Sequence, residues 1–237
     1  MLIGRISWRI GALAAGAAFA VAVAGVANAA PATVSATADP YYGFDDTVNA
    51  VAYLGSTVYT AGVFDNVQRN GKLTPRAGLA AQSATSASLL PWAPSVDGPV
   101  TAMVADPGSN TIYIAGTFRH VNGVARHGLA ALNATSGALT GFSHNVTGTP
   151  RALALGGGRL YLAGSVTAVD GAAVGYTAAF SLASGARDTG FVARADAQVL
   201  ALAYDAATGR LYLGGKFHNV NGATKTGKLA AVDPATG

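Results

Sequence analysis

The sequence predicts an all-β fold, a β-propeller of about four repeated units with four short strands each, behind an N-terminal signal helix. Three observations predict it. A glycine-centred motif recurs four times, with its anchor glycines 54, 48 and 51 residues apart. Charged residues make up only 11% of the 237, against about 25% in an average soluble domain. All 11 acidic residues are Asp, a turn former, so the wet faces of amphipathic helices lack their usual Glu.

The leader comes first. Arg5 and Arg9 precede an apolar run from Gly11 to Val26, and Ala27-Asn28-Ala29 is a small-x-small site. That layout predicts a secretory signal peptide over 1–29, cleaved after Ala29. The competing reading is an uncleaved anchor, since the uncharged run from Ile10 to Ala38 is long enough to span a bilayer. Its Ala and Gly content drives insertion weakly. The two arginines are not adjacent, so no twin-arginine signal is read. Residues 30–46 read as a linker or as a closing strand.

The repeats follow, at approximately 47–97, 98–148, 149–196 and 197–237. Their shared phrase is aromatic-x-x-Gly, an apolar residue two positions on, a Val, then Asn-Gly or Asp-Gly. In unit one it is Tyr59 to Gly62 with Phe64, Val67 and Asn70-Gly71; in unit two, Tyr113 to Gly116 with Phe118, Val121 and Asn122-Gly123. Unit three has Tyr161 to Gly164 with Val166, Val169 and Asp170-Gly171; unit four has Tyr212 to Gly215 with Phe217, Val220 and Asn221-Gly222. Unit two shows the strands best. Val100 to Ala105 is small and apolar, suited to a crowded inner position, and Thr111 to Phe118 is rich in β-branched and aromatic residues. Asn122-Gly123 is a hairpin turn, Gly128 to Asn133 a third strand, and Leu139 to Phe142 an outer one. Trp92, Phe142 and Phe191 each stand eight residues before the next inner strand. They are read as wedges between neighbouring units. Four strands per period of about 50 is a propeller signature.

The phrases YIAGTFRHVNGVARHGLAALNATSG and LYLGGKFHNVNGATKTGKLAAVDPATG resemble the delta-60-type repeat of secreted bacterial β-propellers, proteins of mostly unknown function. The resemblance covers about residues 47–237 and departs in unit three, where Val166 replaces the aromatic and Val174 stands in the place of Arg126. It implies a propeller fold and a place in cell-surface proteins, and supplies no catalytic residues. Unit four reaches Gly237, the counterpart of Gly137. One expectation is a fragment of a longer propeller. The other is ring closure by the N-terminal segment, with Tyr41 and Tyr42 completing the last unit.

Candidate chemistry is sparse. Cysteine is absent, which removes disulfides, thiol nucleophiles and thiolate metal sites. His120, His127, His144 and His218 lack the spacing of a zinc pair, and no Gly-x-Ser-x-Gly elbow occurs. Asp45-Asp46, Asp106, Asp205 and Asp233 read as turn residues, so no catalytic, metal or cofactor site is expected. The residues left for function are basic ones around the Asn-Gly turns: Arg69, Arg76, Arg119, His120, Arg126, His218 and Lys225, a candidate binding face. The competing reading is that they solubilise turns and cover apolar strands. Without the leader the chain carries 13 basic against 11 acidic residues, too even a balance for nucleic acid.

The expectation is a secreted, non-catalytic binding module at the cell surface for a glycan, a cell-wall polymer or a surface protein. Membrane contact is expected only through the signal segment during export. The alternatives are an exported enzyme of polysaccharide lyase or quinoprotein type on the same fold, and a purely structural repeat.

Overall fold

The computed structural model describes residues 42–223 and 226–237. The signal peptide, most of the linker, Tyr41 and Lys225 lie outside the described residues. What is described is all-β, built of antiparallel sheets of two to four strands.

Unit one contains β1 (Gly43–Phe44), β2 (Val48–Leu54), β3 (Thr57–Gly62), β4 (Asn66–Arg69), β5 (Lys72–Pro75) and β6 (Leu79–Ser83). Unit two contains β7 (Val100–Asp106), β8 (Thr111–Gly116), β9 (His120–Val121), β10 (Val124–Ala125), β11 (Leu129–Asn133), β12 (Leu139–Ser143) and β13 (Val146–Thr147). Unit three contains β14 (Pro150–Gly156), β15 (Arg159–Gly164), β16 (Ala168–Val169), β17 (Ala172–Ala173) and β18 (Thr177–Ser181). Unit four contains β19 (Val199–Asp205), β20 (Arg210–Gly215) and β21 (Leu229–Val232).

The main sheets are β2-β3-β6, β7-β8-β11-β12, β14-β15-β18 and β19-β20-β21. Among the described residues only unit two has the expected four strands. In units one and three the outer strand shrinks to single bridges, Gln82 to Leu89 and Phe180 to Arg187. Pro91 has no N–H with which to continue the first ladder. In unit three Asp188 accepts from the Gly190 N–H at 3.0 Å and turns the chain away. The Asn122-Gly123 turn also differs from expectation. β8 pairs directly with β11, and the turn tips a separate ribbon of β9 and β10. Asn122 and Gly123 take φ of 50° and 75°, the positive range that a tight hairpin requires.

Inner strand β2 lies against β7, β7 against β14, and β14 against β19. Side chains stitch them: Asn49 Nδ2 donates to Val100 O at 2.9 Å, and Thr101 Oγ1 to Pro150 O at 2.8 Å. Each interface is an apolar cluster shared by two units, and the three outer aromatics sit in them as wedges. Trp92 belongs to the cluster of units one and two, Phe142 packs on that of units two and three, and Phe191 belongs to that of units three and four. Tyrosines cross the same interfaces: Tyr59 donates to Ala134 O and Tyr161 to Pro234 O, both at 2.8 Å. Burial pushes the Tyr161 hydroxyl up to about 12.

The anchor glycine has a steric cause. A Cβ on Gly116 would lie 2.9 Å from Val100 Cα and closer still to the Pro99 carbonyl oxygen. That same carbonyl accepts from the Thr117 N–H at 2.9 Å. The arrangement repeats at Gly62 with Thr47, Gly164 with Thr149, and Gly215 with Gln198. The second strand of each unit therefore presses against the segment leading into its inner strand, and only Gly fits.

Of the segment expected as a linker or a closing strand, residues 30–41 lie outside the described residues; β1 pairs with β4 of unit one, Phe44 opposite Val67. Phe44 packs on Phe64 at 4.6 Å between ring centroids, and the Arg69 guanidinium lies 5.1 Å from the centre of the Tyr42 ring. Phe44 stands four residues before its inner strand, as do Val96, Val146 and Ala195. Each of these pairs with the ribbon Val of the unit whose inner strand it leads into, Val96 with Val121, Val146 with Val169 and Ala195 with Val220. Residues 43–44 thus fill the linking-segment position of the first repeat.

Candidate functional site

The ribbons, the linking segments and the ends of the second strands gather at one end of each sheet. Two kinds of polar latch hold them. The first is an Asp three residues before the inner strand. Asp97 Oδ1 accepts from the N–H groups of Arg119 and His120 at 2.7 and 2.8 Å, and His120 Nδ1 donates to its Oδ2 at 2.6 Å. Asp45 accepts from the N–H groups of Asp65 and Asn66 and from Asn66 Nδ2. Asp196 accepts from the His218 N–H and Asn219 Nδ2, both at 2.8 Å. These backbone hydrogen bonds, with the side-chain ones behind them, hold all three carboxyls below the ordinary range. The segment leading into unit three breaks the pattern with Thr147, whose carbonyl accepts from the Thr167 N–H at 2.9 Å.

The second latch is the turn Asn. Asn122 Oδ1 accepts from the Ser95 N–H at 2.9 Å, and its Nδ2 donates to Gly137 O at 3.0 Å. Asn221 repeats this with the Arg194 N–H and Gly237 O. Unit three has Asp170, which cannot donate. His144 bridges the gap: Nδ1 donates to Asp170 Oδ2 at 2.6 Å and Nε2 to Gly185 O at 2.7 Å. Burial works against the Asp170 carboxylate, but the His144 and Asn145 hydrogen bonds outweigh it and keep its pKa low.

The structure divides the candidate basic residues into two groups. Arg69, Arg76 and Arg126 are clamps. Arg69 Nη1 donates to Ala87 O at 3.2 Å. Arg76 spans from Pro75 O to Leu90 O, and Arg126 from Ala125 O to Thr140 O, tying ribbon to outer segment. Burial lowers the Arg76 pKa. Arg119, His120 and His218 stand at the ribbon feet. His120 is held by Asp97, and His218 Nε2 accepts from Lys228 Nζ at 3.1 Å. The Arg119 guanidinium and the exposed His127 ring have no side-chain partner among the described residues.

Two equivalent grooves open beside these feet. The first, about 280 Å³, runs between Gly62 to Asp65 and Val96 to Pro99 and carries Asp65 and Asp97. The second, about 470 Å³, lies between Gly116 to Arg119 and Val146 to Gly148 and carries Arg119, His127, Thr117 and Thr147. The same architecture thus presents opposite charge at adjacent positions. In the sequence His127 is weighed only as a metal ligand, and Thr147 is passed over. The signal that finds them is the Asp missing from unit three, visible once Asp45, Asp97 and Asp196 are aligned three residues before their inner strands.

No family model and no curated protein matches the chain. Among solved structures it is similar to the computationally designed Ika4 protein, at 13% identity and TM-score 0.48, over 81% of this chain and 93% of that one. It is also similar to the computationally designed Ika8 protein, at 14% identity and TM-score 0.49 over 80% of this chain. It spans about half of the latter, 46% of its length.

Proposed function

We propose that this chain is a secreted β-propeller, of the delta-60-repeat kind, that acts as a non-catalytic binding module at the cell surface. The side-by-side order of the four inner strands supports the propeller reading. The second groove carries the functional one. It is lined by Arg119 and His127, whose side chains have no side-chain partner among the described residues, and by Thr117 and Thr147, and Thr147 stands where the other three units have Asp. Such a groove takes a carboxylate- or phosphate-bearing glycan or wall polymer, because Arg pairs both groups through two parallel hydrogen bonds.

The test is titration of the exported protein with a uronic-acid oligosaccharide, a polyol-phosphate polymer and a neutral glucan. The charged ligands should bind and the neutral one should not. Arg119→Gln should weaken binding at least tenfold. Thr147→Asp, which restores the carboxylate of the other units, should abolish it. Unchanged binding by both variants, or preference for the neutral glucan, would overturn the assignment. Intact-mass measurement of the exported form should show a start at Ala30, and retention of 1–29 would defeat the export reading.

A further inference from the structure

We infer that unit four docks head to tail on unit one of a second copy of this chain, through the sheet faces by which its own units pack. Every internal interface joins two kinds of face. The face toward the following unit carries small inner-strand residues and a third-strand Leu or Thr; the face toward the preceding unit carries long apolar side chains. Between units two and three, Ala102, Leu129 and Ala131 meet Leu153, Leu162 and Phe180.

Unit four has the first kind of face uncovered. Leu79 and Leu129 are fully buried, whereas their counterpart Leu229 is 62% exposed, and Ala201 and Ala231 beside it are exposed too. Unit one has the second kind uncovered along its inner strand. Met103 and Leu153 are buried, but their counterpart Val51 is 60% exposed. The internal interfaces show what covers a face like that of unit four: a sheet turned as unit one is turned. Val51 would then sit on Ala201 and Ala203, as the partly buried Leu202 packs against the cluster holding Ala152 and Ala154. Tyr53 would remain at the rim, because Asp205 stands where Gly156 admits the Tyr204 ring.

The hydroxyls of Tyr59 and Tyr161 donate across the interfaces to the next unit, while Tyr212, their counterpart in unit four, has no acceptor among the described residues. The contact is heterologous, so each copy offers both faces and a closed ring uses them all.

Light scattering and sedimentation velocity on the full chain test this, from micromolar to sub-millimolar concentration. A discrete oligomer is expected. Leu229→Asp and Val51→Asp should each give monomers with unchanged circular dichroism. An equimolar mixture of the two should recover a dimer, since each variant keeps the face that the other lost. Should an Asp variant misfold, Leu229→Lys and Val51→Lys replace it in the same mixing test. A monomeric parent, shapeless aggregation, or a mixture that stays monomeric would overturn the inference and assign the face to another occupant, such as a following unit in a longer polypeptide. Ligand binding at Arg119 is read separately and does not depend on this result.

Discussion

Replacing Trp92 with Ala should remove the main wedge between units one and two. The indole is 4% exposed, meets Tyr59 edge-on at 5.0 Å and 81°, and donates from Nε1 to Asn133 O at 3.1 Å. Truncating a buried Trp to Ala costs about 3–5 kcal/mol, a large part of the roughly 5–15 kcal/mol that a domain has. Trp92→Phe separates packing from hydrogen bonding. Asn133 O still accepts from the Gly137 N–H at 2.9 Å, so the lost Nε1 bond strands no carbonyl. That variant should cost about 1–2 kcal/mol. In a double-mutant cycle with Tyr59→Ala, coupling of about 0.5–1.5 kcal/mol is expected for an edge-on aromatic pair. Urea melts followed by circular dichroism measure the four members of the cycle and Trp92→Phe. A Trp92→Ala loss below about 1 kcal/mol, or one equal to that of Trp92→Phe, would refute the wedge reasoning.

Acid should weaken the ribbon attachments. The carboxyls of Asp45, Asp97 and Asp196 are depressed in the folded state, so their stabilisation is complete above the unfolded carboxyl pKa of about 3.9 and fades as pH falls through the lower folded values. The melting temperature should therefore hold steady down to about pH 4.5 and drop below it, and Asp97→Asn should show a shallower drop. An Asp97→Asn protein with the parent's acid slope would count against these latches. At the third ribbon, His144→Ala should cost about 1–2 kcal/mol, and adding Asp170→Asn should return part of it, because an Asn can reach Gly185 O as Asn122 reaches Gly137 O. Thermal melts decide this, and a double variant no more stable than His144→Ala would show that the bridge is not equivalent.

The sequence by itself determined the period, the strand-rich units and the repeated turns, because these are local. Asn-Gly needs only its own φ values, and an inner strand such as Val100–Asp106 follows from its own apolar run. The anchor glycines were visible as a pattern, but their cause was not, since the carbonyls of Thr47, Pro99, Thr149 and Gln198 approach them from 15 to 17 residues away in the chain. Only the tertiary structure decided where the basic residues act. Arg76 and Arg126 look like solvated turn residues in sequence, yet fold back onto Leu90 and Thr140. Only the structure showed that the second groove, lacking the aspartate latch, leaves Arg119 and His127 together. Charge that is nearly balanced along the chain becomes unbalanced in space when two adjacent units present Asp65 with Asp97 and Arg119 with His127. That sorting depends on which ends of four sheets share a surface, which no local pattern encodes.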